Sequence, residues 1–371
     1  MKGSYFLHGM GKRLISGKTE EDWFKKELTR FKRDIEKRLD VFFQKKMKES
    51  VEKDRDYQQF IQVLSEYTMR KGAKRIRGTL ACITYKMYGG TRRSILDISV
   101  ALELIHSFLL IHDDWIDQDL KRRGGDTVHK AFEKRLKIPD RHRREHTGGS
   151  CAVMLGDLAS LYSTELVLKS GFADEVKIKI LQNIVLNLTH TVYGEYLDIL
   201  NFDDIDKIKR MIENKTAFYT FVNPLTVGAV CAGAGKSEIK KLEDIGRNLG
   251  IAFQIKDDIL DIYGKNTGKD TASDIREGKV NLLTAYALKN LKGRDLAKFK
   301  NILFRKKHLN RYDIEFIRKS IETSESLDYN INKAFKHKEK AQHTISKLKV
   351  KNTKYLYFLY YLAEYVVMRE K

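Results

Sequence analysis

The scarcity of proline is the sequence feature that most constrains the fold of this chain. Only two prolines, Pro139 and Pro224, occur in 371 residues. Proline breaks helices because it lacks an amide proton and its ring clashes with the preceding turn. A chain with so few breaks can carry many long helices. Collagen-like and proline-rich architectures are excluded.

Apolar residues recur at helical spacing along most of the chain, and strand-like alternation is hard to find. Steps of three and four residues are typical of amphipathic helices. The clearest stripes are Trp23, Phe31, Ile35, Leu39 and Phe42; Ile95, Ile98, Leu102, Ile105 and Leu109; Leu242, Ile245, Leu249 and Phe253; and Leu356, Leu359, Leu362 and Val366. We predict an all-α protein with a loose basic tail over residues 1–20 and one large helical domain over residues 21–371. Loops are predicted at the basic segment 134–147 and at the polar segment 264–279.

The charge balance favours anionic partners. Lys and Arg number 71 against 50 Asp and Glu, which gives a net charge of +21. Nucleic acid, a membrane surface and phosphorylated metabolites all fit such a charge. The chain lacks the aromatic and basic interleaving of nucleic-acid-binding folds. We therefore expect no nucleic-acid partner, although a basic nucleic-acid-binding helical protein is the alternative from a different functional class.

Cysteine usage and hydropathy bear on the compartment. The three cysteines, Cys82, Cys151 and Cys231, form no C-x-x-C pair. This excludes a disulfide scaffold or zinc finger and fits a reducing compartment. No stretch approaches the roughly 18 uncharged apolar residues of a membrane span. We expect no transmembrane segment and a cytoplasmic location, with organelle targeting by the basic N-terminus as the alternative.

Two aspartate clusters with the same spacing are the strongest functional signal. Asp113, Asp114 and Asp117 form a D-D-x-x-D motif, and Asp257, Asp258 and Asp261 repeat it. On a helix, residues four apart lie on one face, so each motif gathers carboxylates on one side. In each case an apolar row leads directly into the aspartates, as in Ile105, Leu109, Asp113 and Asp117. We therefore expect both clusters to lie at the inner end of the core, whereas Asp203, Asp204 and Asp206 lack such a row and are predicted to be a surface run.

Clustered carboxylates at the end of a core need a cation. Mg²⁺ prefers oxygen ligands and commonly bridges a few carboxylates to substrate phosphates. Basic residues also lie near both motifs: Lys71, Lys74, Arg75 and Arg77 before the first, Arg122 and Arg123 just after it, Lys215 between the two, and Lys269 and Lys279 after the second. Arg and Lys both bind phosphate oxygens. Two acidic clusters with separate basic clusters predict two polyphosphate ligands, one bound through metal and one held by Arg and Lys alone.

The ordered motifs carry a resemblance to a known family. The set G-x-K-x-x-R, D-D-x-x-D, R-R-G, G-D, K-T and F-Q-x-x-D-D, followed by a lysine, resembles the trans-isoprenyl diphosphate synthases, the farnesyl and geranylgeranyl diphosphate synthase family. The resemblance implies a helical bundle around a central apolar cavity and a homodimer. It also implies prenyl transfer to isopentenyl diphosphate from allylic diphosphates (dimethylallyl, geranyl, farnesyl), with three Mg²⁺ ions per active site.

The resemblance also assigns roles residue by residue. It implies that the six aspartates of the two motifs bind Mg²⁺ on the allylic diphosphate, and that Arg122, Lys215 and Lys269 hold the same diphosphate. Gly72, Lys74, Arg77, His106 and Arg123 match positions that bind isopentenyl diphosphate. Thr216 and Gln254 match positions that face the reactive carbon, and Lys279 is a further substrate-binding candidate. Gly156 and Asp157 match a helix-packing pair. Glu195 departs from the family pattern, which usually has Gln there.

Other enzymes of related chemistry remain as alternatives. Class I terpene cyclases and squalene or phytoene synthases share the all-α fold and an acid motif. They usually lack the paired D-D-x-x-D motifs together with G-x-K-x-x-R and K-T.

The resemblance carries two further expectations, on inhibitors and on product length. Basic-nitrogen bisphosphonates should inhibit the enzyme, and Phe108 and Leu109, one turn before Asp113, should limit the product to a mixture of C15 and C20 diphosphates.

Overall fold

The computed structural model describes residues 19–52, 54–264, 272–306 and 308–370. Within these ranges it contains sixteen α-helices, one π-helix and one short hairpin, so the predicted all-α class is confirmed. The α-helices are α1 Thr19–Val51, α2 Arg55–Thr68, α3 Ile76–Met87, α4 Ile95–Ile116, α5 Val128–Arg135, α6 Arg141–Lys169, α7 Asp174–Ile199, α8 Ile205–Ile212, α9 Asn223–Cys231, α10 Lys236–Tyr263, α11 Ser273–Arg276, α12 Leu282–Asn290, α13 Gly293–Phe304, α14 Arg311–Thr323, α15 Ser326–Ile345 and α16 Thr353–Met368. The π-helix spans Glu213–Val222, and the hairpin pairs β1 Lys121–Arg122 with β2 Gly125–Asp126.

The chain divides into two compact units. The N-terminal unit contains Glu21–Gln182 and Val227–Gly233, and the C-terminal unit contains Asn183–Thr226 and Ala234–Lys371. Each unit is described by itself. The single domain over residues 21–371 stays a prediction.

In the N-terminal unit, α4 is the central helix. Its residues Ile95, Ile98, Leu102 and Ile105 are buried, as their spacing predicts. It packs most extensively against α6, and Gly156 of α6 allows this approach. A Cβ atom at Gly156 would lie only 2.3 Å from Nε2 of His112, so the glycine is required where the two helices meet.

In the C-terminal unit, α10 packs against the π-helix and α15. Its stripe Leu242, Ile245 and Leu249 is buried, as predicted. The stripe of α16 is buried as well, at Leu356, Leu359, Leu362 and Val366. The helical period therefore identifies the core-facing side of both helices.

Two predicted loops are wrong in part. In the segment 134–147, only residues 136–140 are irregular, because α5 continues to Arg135 and α6 begins at Arg141. The Asp140 carboxylate caps α6 by accepting a hydrogen bond from the Arg143 amide at 2.7 Å. The segment 264–279 contains the short helix α11, and its residues 265–271 lie outside the described part. Most of the predicted tail, residues 1–18, lies outside it too, and helix α1 begins at Thr19.

Two helices are long and apolar enough to cross a membrane by length and composition alone. These are α4 and α6, and 61% and 44% of their most apolar windows are buried within the protein. The core helix of a globular protein passes the same test, so the finding is weak. The absence of a transmembrane segment stays a prediction.

Candidate active site

The first acid motif lies at the C-terminal end of α4 in the N-terminal unit. The helix ends at Ile116, and Asp117 follows as its C-terminal cap, with its amide 2.8 Å from the Asp113 carbonyl. The row Ile105, Leu109 and Asp113 was predicted to point into the core, but its side chains become more exposed towards Asp113. Ile105 is buried, whereas Leu109 and Asp113 are partly exposed. Asp114 is the aspartate that is fully buried.

Asp114 is held by two donors. The Tyr67 hydroxyl donates to one carboxylate oxygen at 2.7 Å, and the Arg122 guanidinium donates to the other. Burial raises the pKa of Asp114 to about 6 although Arg122 and Tyr67 act in the opposite direction. The same guanidinium lies 3.2 Å from Asp113 and 3.2 Å from Asp119. Arg122 is thus the counter-ion of two aspartates of the first motif, Asp113 and Asp114, and of Asp119 just beyond it.

The R-R-G segment folds as a tight hairpin that positions Arg122. Arg123 and Gly124 form its turn with φ of 51° and 76°. Two successive positive φ values are what a type I′ turn requires. Arg70 fastens the hairpin by donating to the carbonyls of Arg122 at 2.8 Å and Asp126 at 2.9 Å. Hydrophobic periodicity cannot predict this hairpin, because each strand is only two residues long.

The predicted isopentenyl diphosphate residues form a cationic neighbourhood in the same unit. Burial and the adjacent cations Arg77 and Arg123 hold the pKa of His106 well below its ordinary value. The imidazole is therefore neutral at pH 7, so it can still donate one hydrogen bond to an anion. Lys74 and Gly72 are exposed, and Arg77 is partly exposed. Gly72 has a φ of 92°, a left-handed value that favours glycine.

The second acid motif lies near the C-terminal end of α10 in the C-terminal unit. The Asp257 side chain is 40% exposed, whereas Asp258 is buried. Asp258 Oδ1 accepts a hydrogen bond from the Gln254 amide at 2.8 Å, and Oδ2 is buried with no hydrogen-bond partner. Burial, followed by the charge of Asp274, raises the pKa of Asp258 well above its ordinary value.

Asp261 binds the segment that follows the motif. Its carboxylate accepts hydrogen bonds from the Ser273 hydroxyl at 2.6 Å and from the amides of Ser273 and Asp274 at 3.1 and 3.2 Å. These contacts hold the first turn of α11, which brings Asp274 beside the motif. Burial and the neighbouring Asp261 raise the pKa of Asp274 to about 6. Asp274 was not among the predicted site residues.

Lys215 and Thr216 lie on the π-helix. The Lys215 ammonium donates to Asp198 at 2.6 Å and to Glu195 at 3.1 Å. The Thr216 hydroxyl donates to Gln254 Oε1 at 2.7 Å, which fixes the amide so that its nitrogen faces Asp258. A π-helix is wider than an α-helix, and such segments are frequent at functional sites. Gly250 allows the close packing, since a Cβ atom there would lie 2.3 Å from the Cα of Ala217.

Arg369, near the end of the chain, lies against the second motif. It donates to Asp257 at 2.7 Å and to the Phe253 carbonyl at 3.1 Å. Its guanidinium carbon lies 4.0 Å from the centre of the Phe253 ring. The side chain is only 5% exposed, so it is ordered rather than a frayed tail.

The two motifs share one arrangement, each within its own unit. The first aspartate is partly exposed and paired with an arginine, as in Asp113 with Arg122 and Asp257 with Arg369. The second aspartate is buried and accepts a hydrogen bond from an uncharged donor, Tyr67 or Gln254. Among the described residues, no group of three or more His, Cys, Asp and Glu side chains already has the arrangement of a metal site. The unpartnered oxygen of Asp258 and the surrounding excess of carboxylates nevertheless fit a hard divalent cation.

The remaining predicted residues are placed as follows. Phe108 and Leu109 are partly exposed on α4, and the Phe108 ring meets the His112 ring edge-on at 4.8 Å. Lys279 lies 3.0 Å from Glu277. Lys269 lies outside the described residues. Asp203, Asp204 and Asp206 are exposed, as predicted, and Asp204 caps α8.

Comparisons with known proteins agree with the motifs. The family model described as polyprenyl synthetase matches residues 58–321. A geranylgeranyl diphosphate synthase of Sulfolobus acidocaldarius is 31% identical over 318 residues, covering 83% of this chain and 90% of the relative.

Solved structures agree as well. A geranylgeranyl pyrophosphate synthase of Corynebacterium glutamicum, complexed with isoprenyl diphosphate and magnesium, has a TM-score of 0.84 at 26% identity, covering 92% of this chain and 99% of that one. A polyprenyl synthase of Caulobacter crescentus, complexed with calcium and isoprenyl diphosphate, has a TM-score of 0.77 at 25% identity, covering 93% and 98%. With most of its length matched by the family model and both acid motifs in place, the chain belongs to the polyprenyl synthetase family, the trans-isoprenyl diphosphate synthases, and is a prenyltransferase.

Proposed function

We propose that this prenyltransferase condenses isopentenyl diphosphate with dimethylallyl, geranyl and farnesyl diphosphate, and that it makes farnesyl and geranylgeranyl diphosphate. The observation that carries the proposal is the shared arrangement of the two acid motifs. In each, an accessible aspartate stands beside an arginine and a buried aspartate. The complexes of related synthases with isoprenyl diphosphate and a divalent metal support the same substrate class.

Mg²⁺ bound by the aspartates of both motifs would neutralise the charge on the departing allylic diphosphate. The chain's own cations add to this, because Arg122 and Lys215 are fixed by carboxylates before substrate binds. Preorganised charges lower the barrier because they need not reorient during the reaction. We assign three Mg²⁺ ions to the site by resemblance.

The proposed reaction proceeds through an allylic carbocation. The C–O bond of the allylic diphosphate breaks, and both electrons leave with the diphosphate. The double bond of isopentenyl diphosphate then attacks the cation, and loss of a proton to the released diphosphate forms the new double bond. Thr216 and Gln254, joined at 2.7 Å, are the polar groups proposed to face the reactive carbon.

Product length is proposed to depend on α4. Phe108 and Leu109 follow a buried turn and precede Asp113 by about one turn. Both are apolar yet partly exposed, which suits residues that line a cavity for the prenyl tail. Phe108 is aromatic and Leu109 is a medium-sized aliphatic residue, so together they would close the cavity at an intermediate depth and form its floor. We therefore propose a mixture of C15 and C20 products.

Product analysis tests this proposal. The protein is incubated with isopentenyl diphosphate, Mg²⁺ and each allylic primer in turn, and the dephosphorylated products are separated by chromatography. We expect linear C15 and C20 alcohols, with release of diphosphate that depends on Mg²⁺. Cyclic hydrocarbons would support a terpene cyclase, and a head-to-head C30 or C40 product would support a squalene or phytoene synthase.

We further propose that the protein is a homodimer. Large apolar side chains are exposed on α6 at Val153, Met154, Leu161 and Leu168, and on α7 at Val185, Leu186 and Val192. Exposed apolar clusters commonly mark protein interfaces. Light scattering should give twice the chain mass, and Leu161→Glu should shift it to the monomer. A monomeric wild-type protein would contradict the proposal.

A cytoplasmic location is proposed from cysteine usage. Cys82 and Cys231 are buried thiols, and all three cysteines are free, which suits a reducing compartment. Fractionation that places the protein in an organelle would overturn this assignment.

A further inference from the structure

A buried ion pair lies beneath the G-x-K-x-x-R segment and has no role in the proposed reaction. Arg75 is 3% exposed, and Glu103 on α4 is 1% exposed. One Arg75 nitrogen lies 3.5 Å from the Glu103 carboxylate, and another donates to the Thr68 carbonyl at 2.7 Å. The third lies 3.6 Å from the carboxylate of Glu36 on α1, which is more exposed than Glu103. Buried ion pairs are weak evidence for stability, because a well-packed apolar pair often serves as well. This pair therefore calls for an explanation other than stability.

The backbone at Arg75 is constrained as well. Its φ of 53° and ψ of 37° place it in the left-handed region, which is costly for a residue with a Cβ atom. Arg75 is also the N-cap residue that immediately precedes α3. Such conformations persist only when the surroundings hold them. Here Glu103 helps to hold the backbone conformation at Arg75, because its second oxygen accepts a hydrogen bond from the nearby Gly78 amide at 2.9 Å.

The left-handed turn separates Arg75 from its basic neighbours. Arg75 is buried, whereas Lys74 is exposed and Arg77 is partly exposed. Lys74 and Arg77 are thus left accessible to an anion while Arg75 is anchored beneath them. Glu103, the residue that anchors Arg75, lies on α4. His106 lies three residues after Glu103 and therefore at a neighbouring position on the same helix face.

The charges around His106 explain why an acid is needed there. Arg75, Arg77, Arg122 and Arg123 all contribute to the lowered pKa of His106. Burial and then Arg75 lower the pKa of Arg123, and Glu103 acts in the opposite direction by favouring the charged guanidinium. A carboxylate among neighbouring arginines reduces their mutual repulsion. Glu103 is a carboxylate that is placed to do so within the unit.

We propose that Arg75 and Glu103 are positioning residues that hold Lys74 and Arg77 in register with His106 and Arg123 to bind the diphosphate of isopentenyl diphosphate. Neither residue contacts the substrate. The inference rests on the proposed function, since it concerns the binding of one of its two substrates. It predicts that loss of the pair affects one substrate and spares the other.

Steady-state kinetics of two variants test the proposal. Glu103→Gln keeps an oxygen for the Gly78 amide but removes the charge opposite Arg75. We expect its KM for isopentenyl diphosphate to rise about tenfold, with the KM for geranyl diphosphate and kcat within about threefold of wild type. Arg75→Lys keeps the charge and loses the paired nitrogens, so we expect a smaller rise of about threefold in the same KM.

Arg38→Gln is the matched control. Arg38 on α1 bonds Asp97 on α4 at 2.6 Å, so the change also breaks an ion pair to α4, but away from the G-x-K-x-x-R segment. Both KM values should remain at the wild-type level. Calorimetry with isopentenyl diphosphate alone, without metal or allylic substrate, measures the same site without turnover, and it should show weaker binding for Glu103→Gln.

The outcomes separate the two proposals. Unchanged binding of isopentenyl diphosphate in folded Glu103→Gln and Arg75→Lys would overturn the positioning role. A parallel loss in both KM values, kcat and melting temperature would also overturn it, because that pattern indicates structure alone. If Glu103→Gln fails to fold, Arg75→Lys decides by the same criteria. A wild-type protein that transfers no prenyl group would reject the proposed function instead.

Discussion

The first and second aspartates of each motif have different surroundings and therefore different expected tasks. Asp113 and Asp257 are partly exposed and can reach a metal ion or diphosphate. Asp114 and Asp258 are buried, and both have raised pKa values because burial disfavours their charged forms. The exposed pair is accessible to ligands. The buried pair is held by Tyr67 and Gln254, and only Asp258 keeps a carboxylate oxygen without a hydrogen-bond partner.

Glu195 is the residue at which this chain departs from its family in a testable way. Its carboxylate lies 3.1 Å from the Lys215 ammonium, which already contacts Asp198 at 2.6 Å. A second carboxylate leaves less net positive charge for the allylic diphosphate. Glu195→Gln removes that charge, and we expect the KM for geranyl diphosphate to fall about threefold to tenfold.

The control for this variant is the other substrate. The KM for isopentenyl diphosphate should not change in Glu195→Gln, because neither Glu195 nor Lys215 is among its predicted ligands. A KM for geranyl diphosphate that stays constant or rises would show that Glu195 does not compete with the diphosphate for Lys215.

At the scale of secondary-structure elements, a helix could be predicted where apolar residues recur at helical spacing over several turns. It could not be predicted where a single cap residue or a contact with another helix sets its start or its type. The stripes of α4, α10 and α16 are buried as their spacing predicts, except at Leu109 and Phe253, which are partly exposed next to the acid motifs. The start of α6 was missed because Asp140, its cap, lies within a basic run that resembles a solvated loop. The π-helix could not be predicted, because its close packing depends on Gly250 of another helix.

Product length is proposed to depend on α4. Leu109 lies four residues before Asp113, and we expect Leu109→Phe to shift the product towards C15 because it raises the floor of the cavity. Phe108→Ala should shift it towards C20 or longer. Chromatography of dephosphorylated products measures the ratio. An unchanged C15:C20 ratio in both active variants would mean that these side chains only pack between helices.

The short helix α11 provides a prediction about stability. Burial and Asp261 raise the pKa of Asp274 from 3.8 to about 6. Well below pH 4 the carboxyl is protonated in both the folded and unfolded states, so its burial does not lower the free energy of unfolding. The penalty for burying the charged form grows as the pH rises from about 4 to 6 and then stays constant. Asp274→Asn removes the charge and should stabilise the metal-free protein at pH 8 by about 1–3 kcal/mol.

Urea unfolding in the presence of a chelator measures this effect. At pH 4 the free energies of unfolding of Asp274→Asn and the wild type should be nearly equal. A difference that is the same at pH 4 and pH 8 would show that packing around Asn281, which donates to Asp274 at 3.2 Å, causes the change rather than charge.

At the scale of the whole molecule, the candidate site was predictable to the extent that it is encoded in short motifs. Both acid motifs, the R-R-G segment and the K-T pair are local patterns with a physical reason for their spacing. Tyr67, Arg70 and Asp274 escaped prediction because each meets its partner through tertiary folding. The contact of Arg369 with Asp257 spans 112 residues of sequence, so no local pattern predicts it. Local sequence predicts which chemistry is present, whereas the partners of each charge depend on the fold.

Inhibition by bisphosphonates tests the metal-dependent site as a whole. A bisphosphonate with a basic nitrogen resembles the allylic diphosphate, and its cation can occupy the position of the carbocation. We expect tight binding in the presence of Mg²⁺ and at least about a hundredfold weaker binding with excess chelator. A bisphosphonate without the nitrogen is the control and should bind more weakly. Equal affinity with and without Mg²⁺ would contradict a metal-bridged diphosphate site.

The central claim is that both acid motifs act in one Mg²⁺-dependent prenyl transfer, and kcat of three aspartate variants tests it most directly. Asp113→Ala and Asp257→Ala remove the accessible carboxylate of each motif, and Asp203→Ala removes an exposed carboxylate of the surface run. Circular dichroism confirms that each variant keeps its helices. We predict that kcat falls by about a thousandfold or more in Asp113→Ala and Asp257→Ala and stays at the wild-type level in Asp203→Ala. Near-normal turnover in folded Asp113→Ala or Asp257→Ala would contradict the account.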